Sequence, residues 1–71
     1  MTTLNILKIS LAAARINAKL TQEDVAKIAG VSRQTIMNWE NGKAKLSVAD
    51  LHLLSHIYDI PVNNLKVDLR G

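Results

Sequence analysis

Arg33, Gln34, Met37, Asn38 and Asn41 fall on one side of a helix drawn over residues 33 to 41, and Ile36, Trp39 and Glu40 fall on the other. The first set is a hydrogen-bonding face with few carboxylates. Arg forks onto guanine O6 and N7, Gln and Asn fork onto adenine N6 and N7, and a Met side chain touches a thymine methyl. An ordinary solvated helix face can have the same composition, so the flanks decide. On one flank, the start of a helix at Gln22 offers free backbone N–H groups, a partial positive charge and the Gln22 side chain beside them. On the other flank, Asn41, Lys43 and Lys45 lie at or just past the end of that helix, where a loop can sit over a sugar-phosphate backbone. Such contacts fix orientation and carry no sequence information. The bland alternative for the two lysines is a soluble loop; their nearness to the polar face favours phosphate.

Two charges face inward. Arg15 interrupts the apolar side of a first helix, and Glu40 lies on the inner side of the polar-faced one. A buried charge is costly unless paired, so the economical reading is that they pair. A bidentate Arg–carboxylate bridge would lock the polar-faced helix to its scaffold. His52 and His56 stand one helical turn apart with Asp59 beyond, a spacing that can bind a metal. Nothing else supplies ligands, so no metal is expected. No nucleophile, base and orienter combination stands out, and no Gly-rich phosphate loop is present. Neither an enzyme nor a cofactor is expected.

The elements that must position these residues follow from apolar spacing and punctuation. Residues 22 to 41 read as a helix, a tight turn and a second helix. Val25, Ala26 and Ala29 are apolar at helical spacing, Gly30 breaks the run, and Ile36 and Trp39 bury the next helix. Ala26 is small where one helix must cross the other closely. This is a helix-turn-helix pattern, whose second helix enters a DNA major groove. Thr21 with Asp24, and Ser47 with Asp50, carry the signature of a capping box, and Ser32 can cap the helix between them. The full reading is all-α, with five helices over about residues 4–18, 22–29, 33–40, 48–58 and 62–65. Leu4, Leu7, Leu11, Ala14 and Ala18 form the stripe of the first helix, widened by Ile6, Ile9 and Ile16, with Thr3 as its cap. Pro61 stops the fourth helix. The tail, residues 66–71, alternates apolar and charged residues as a strand does, yet a lone strand on a helical domain has nowhere to pair within the chain. It is expected to fray or to pair with its copy in a dimer.

At 71 residues the chain is expected to be one domain over residues 1–71. A chain this short buries only about 60% of its unfolded surface, so its stability margin is thin. The absence of Cys excludes disulfides and thiolate metal sites, which leaves dimerisation as a further support. The apolar content of 48% excludes a disordered chain, and a net charge of +3 permits an anionic partner without requiring one. No apolar run is long enough for a secretion signal or a bilayer span, so the expected setting is cytoplasmic and away from membranes.

The run LTQEDVAKIAGVSRQTIMNWENGKAK resembles the DNA-binding domain of the lambda-repressor and Cro family of phage and bacterial regulators. The likeness rests on Leu20-Thr21-Gln22 opening the second helix, Ala26 and Gly30 at the turn, and Ser32 opening the third. Glu40-Asn41-Gly42-Lys43 closes that helix, and Leu51, Leu54 and the stretch from Ile60 to Leu65 extend the match over about residues 7 to 66. The resemblance implies a compact five-helix domain that binds inverted-repeat operators in double-stranded DNA as a homodimer. It implies that Gln22 anchors phosphate and helps orient the first reading residue. It places Arg33, Gln34 and Asn38 at base-contacting positions and Thr35 at a phosphate-contacting one. It makes Arg15 and Glu40 a bridge between the first and third helices. Three positions depart from the family pattern: Leu46 replaces a usual Pro, Trp39 is larger than the usual aliphatic residue, and Pro61 replaces a usual Ser or Thr. The length suits a stand-alone Cro-type repressor that occludes a promoter. A different reading is a protein-interaction regulator, antirepressor-like or antitoxin-like, whose partner is another regulator protein. The modest charge, the apolar first helix and the alternating tail keep that reading open.

Overall fold

In the computed structural model, which describes residues 8–70, four α-helices each start behind a hydroxyl cap. Helix α1 (Leu11–Asn17) follows Ser10, whose Oγ accepts from the Ala13 N–H at 3.1 Å. Helix α2 (Gln22–Ala29) has a full capping box: Thr21 Oγ1 accepts from the Asp24 N–H at 3.0 Å, and Asp24 accepts from the Thr21 N–H at 2.9 Å. That backbone N–H holds the Asp24 carboxyl below the usual carboxylate range. Helix α4 (Val48–Tyr58) repeats the box with Ser47 and Asp50. Helix α3 (Arg33–Glu40) is different. Ser32 caps the Thr35 N–H at 3.1 Å, and no acidic residue stands in its first turn. Its positive end therefore lacks the local carboxylate that neutralises α2 and α4.

Gly30 ends α2 at φ 74°, a left-handed conformation that glycine adopts without a Cβ penalty. Its N–H and that of Val31 both reach the Ala26 carbonyl, at 2.9 and 3.0 Å, which closes the turn into α3. The core gathers one or more side chains from each element: Leu11 and Ala14 of α1, Val25 and Ala26 of α2, Ile36 and Trp39 of α3, and Leu51, Leu54 and Tyr58 of α4. Leu46, between α3 and α4, and Leu65, in the segment after α4, complete it. Trp39, the large residue where the family pattern has an aliphatic one, is accommodated inside this core.

Three sequence expectations need correction. The first helix was expected from about residue 4 to 18; residues 4–7 lie outside the described residues, and residues 8–10 are not helical. Ser10 is extended at φ −69° and ψ 158° because it serves as the cap, and a cap cannot also be a helical residue. The fifth helix, expected over 62–65, is only a 3₁₀ turn, Val62–Asn64, so among the described residues four α-helices stand where five were expected. The tail pairs within the chain. Strand β1 (Ile9–Ser10) and strand β2 (Leu65–Lys66) form a two-stranded parallel sheet with Ile9 opposite Leu65 and Ser10 opposite Lys66. The partner the tail needs was concealed inside the expected first helix. Beyond β2, Leu69 bridges to Leu46: the Leu46 N–H donates to Asp68 O at 2.9 Å, and the Arg70 N–H donates to Leu46 O at 2.8 Å. The fold is thus mostly helical with a small sheet at one edge. Among the described residues no helix is long and apolar enough to cross a membrane.

Candidate nucleic-acid interface

Burial of Ile36 and Trp39 decides which side of α3 meets solvent. Arg33 and Gln34 are exposed, Met37 and Asn38 are half-buried, and Asn41, the C-cap, is exposed. The five form a polar strip with Met37 as its apolar element. Gln34 Nε2 donates to Asn38 Oδ1 at 3.0 Å, so the two amides are joined across one helical turn. Thr35 lies half-buried with its hydroxyl 2.9 Å from that of Ser32, which places both at the uncovered positive end of α3.

The end of α3 is folded back on itself. The N–H groups of Lys43 and Ala44 donate to the Asn38 carbonyl at 2.9 and 3.2 Å. Gly42 makes this turn possible at φ 76°. Lys43 and Lys45 consequently stand exposed beside the polar strip. At the other end, Arg15, Leu20, Thr21, Gln22, Glu23 and Arg33 line an open groove of about 450 Å³. It runs between the starts of α2 and α3; Arg33 and the start of α3, which has no acidic residue in its first turn, favour an anion on one side, and Glu23 opposes it on the other.

Behind the strip lies a charged network. Arg15 Nε donates to Glu40 Oε2 at 2.7 Å, and its second terminal nitrogen reaches Oε1 at 3.4 Å. The remaining guanidinium nitrogen donates to the Leu20 carbonyl at 3.1 Å. Gln22 Nε2 also donates to Glu40 Oε1, at 3.1 Å. One carboxylate on α3 therefore holds both α1 and α2. The bond to Glu40 pushes the Arg15 guanidinium further above its ordinary range. The Gln22–Glu40 bond had no sequence signal, because the two residues belong to different helices and neither needs the other on local grounds.

Tyr58 sits buried in the core, where loss of water and the nearby Glu40 charge push its hydroxyl up to about 12. A group whose folded pKa is raised contributes stability that is complete below its unfolded value and is lost as pH rises through the folded one. Stability should therefore fall as pH climbs from about 10 to about 12. Urea melts of Tyr58→Phe across that window should show a shallower loss than the parent; equal slopes would refute the assignment. His52 and His56 are exposed on α4 and Asp59 is its C-cap; among the described residues no group of three or more His, Cys, Asp or Glu could hold a metal ion.

A family model described as helix-turn-helix matches residues 11–65, which runs from the start of α1 into β2. No curated protein and no solved structure matches the chain significantly.

Proposed function

The chain belongs to the Cro/repressor-like helix-turn-helix family and is a DNA-binding transcription regulator, and from that premise we propose that it is a Cro-type phage or prophage repressor. It acts in the cytoplasm, where two copies occupy an inverted repeat and occlude a promoter. Two α3 helices about 34 Å apart would meet successive major grooves, so the operator is a short two-fold sequence. The observation that supports this most is the exposed strip of Arg33, Gln34, Met37 and Asn38 on a helix whose other side is fixed in the core. Base contacts fall to those four residues. Gln22, Thr35, Asn41, Lys43 and Lys45 take the phosphates on either side.

The division between readers and anchors is testable with two variants. Gln34→Ala should cost about 1–3 kcal/mol on the operator and relax preference at one base pair. Lys43→Ala should weaken binding to all duplexes alike and reduce the salt slope by about one. Titration of labelled operator and random duplex at several salt concentrations measures both. Equal losses on both duplexes for both variants would refute the assignment.

A second reading keeps one structural support. Ile16, Ile28 and Val48 are more than half exposed, which suits a regulator that docks on another protein. The tail no longer adds to it, since its backbone is occupied within the chain. Gel filtration with a neighbouring regulator, beside the DNA titration, separates the two: a stable protein complex with no DNA binding favours the second.

A further inference from the structure

We propose that Gln34 and Asn38 read DNA as one coupled pair, in which Asn38 fixes the Gln34 amide for adenine. The proposal rests on the DNA-binding reading above and gives that face its base preference.

Each side-chain amide offers one carbonyl and two N–H donors. The 3.0 Å bond from Gln34 Nε2 to Asn38 Oδ1 turns the Asn38 carbonyl toward Gln34 and uses one Gln34 donor. Gln34 keeps its carbonyl and one N–H, which together match the N6 donor and N7 acceptor of adenine. Asn38 keeps its two N–H donors and the second lone pair of its carbonyl. Two amides that look interchangeable in sequence thus acquire different roles: Asn38 holds and Gln34 reads.

The support beneath the pair is firm. Asn38 is half-buried, and its backbone carbonyl holds the N–H groups of Lys43 and Ala44. The pair is already oriented before DNA arrives, so less rotamer freedom is lost on binding. Water competes for such a bond on an open helix; a duplex that excludes the water strengthens it.

The test begins with a duplex selected by the protein from a random pool. Affinities of the parent, Gln34→Ala, Asn38→Ala, Asn38→Asp and the double alanine variant are then measured on that duplex and its single base-pair variants. Asn38→Ala should weaken preference at the adenine that Gln34→Ala erases. The double variant should lose less than the product of the single losses, by at least about twofold. Asn38→Asp retains an acceptor for Gln34, so it should keep the adenine preference. Single losses that multiply, or equal adenine losses in Asn38→Ala and Asn38→Asp, would overturn the pair while leaving DNA reading intact. A selection that returns no consensus would overturn the DNA reading and the pair together.

Discussion

Glu40→Ala should destabilise the fold by about 3 kcal/mol, the low end of the cost of removing one partner from a buried ion pair, since this pair is part-buried. The Glu40 side chain is 7% exposed and that of Arg15 is 15% exposed, so neither charge has much water to fall back on. Loss of the carboxylate leaves the Arg15 guanidinium with the Leu20 carbonyl as its one remaining bond named above and strands the Gln22 amide. A domain of this size has on the order of 5 kcal/mol in total, so the variant should keep only about 2 kcal/mol and be a few per cent unfolded at room temperature. Urea denaturation gives the number. Arg15→Ala should cost a comparable amount, and the double variant should lose clearly less than the sum, because the second removal takes away a charge already unpaired. A loss below about 1 kcal/mol for Glu40→Ala would mean that the pair behaves as a surface bridge. The network also joins stability to function. Gln22 stands at the start of α2 beside the groove that Arg33 lines, so Glu40→Ala, which removes the acceptor that holds Gln22, should also weaken DNA binding in the fraction that remains folded.

What the sequence discloses here is what local chemistry decides. Thr21 with Asp24 and Ser47 with Asp50 announce their helix starts because a cap and its reciprocal partner lie three residues apart. The inner and outer sides of α3 are equally plain, since Ile36 and Trp39 can be buried only if Arg33 and Gln34 are not. Arg15 and Glu40 are far apart in the chain, yet each is an inward charge that needs a partner, so burial cost links them. The first turn of the chain fails this test. Thr3 and Ser10 are both competent caps, and apolar residues at Leu4, Leu7 and Leu11 suit a helix through Ser10. Thr3 and Leu4 lie outside the described residues; for Ile9 and Ser10 the pairing with Leu65 and Lys66 decides, and no local pattern announces it. Strands of two residues carry no periodicity of their own. For the same reason the alternating tail was legible as a strand but its partner was not. The Gln34–Asn38 bond was within reach of a one-turn spacing rule, but spacing alone does not say which amide donates.

Leu46→Ala should cost about 2–5 kcal/mol, the range for truncating a fully buried Leu. Leu46 stands in the connection between α3 and α4, yet it is 1% exposed and ranks among the largest wholly buried side chains. It occupies the position where the family resemblance leads one to expect Pro, and the structure supplies a reason for the departure. The Leu46 N–H donates to Asp68 O and its carbonyl accepts from the Arg70 N–H, so the residue holds the tail by both of its backbone groups. A Pro has no N–H to offer Asp68. One residue therefore does two jobs: its side chain fills the core, and its backbone seats the segment that follows β2. Arg70 adds only a long 3.7 Å contact to Asp50, too exposed to hold the tail alone. The two roles separate experimentally. Leu46→Ala should lower the urea midpoint while protecting the Arg70 amide from hydrogen exchange up to the reduced global stability. Leu46→Pro should lower stability further and remove that protection first, because the Asp68 carbonyl loses its donor and the tail can open alone. If Leu46→Pro proved as stable as the parent, the tail pairing would not be what keeps Leu in place of Pro, and the departure would have to be explained by packing alone.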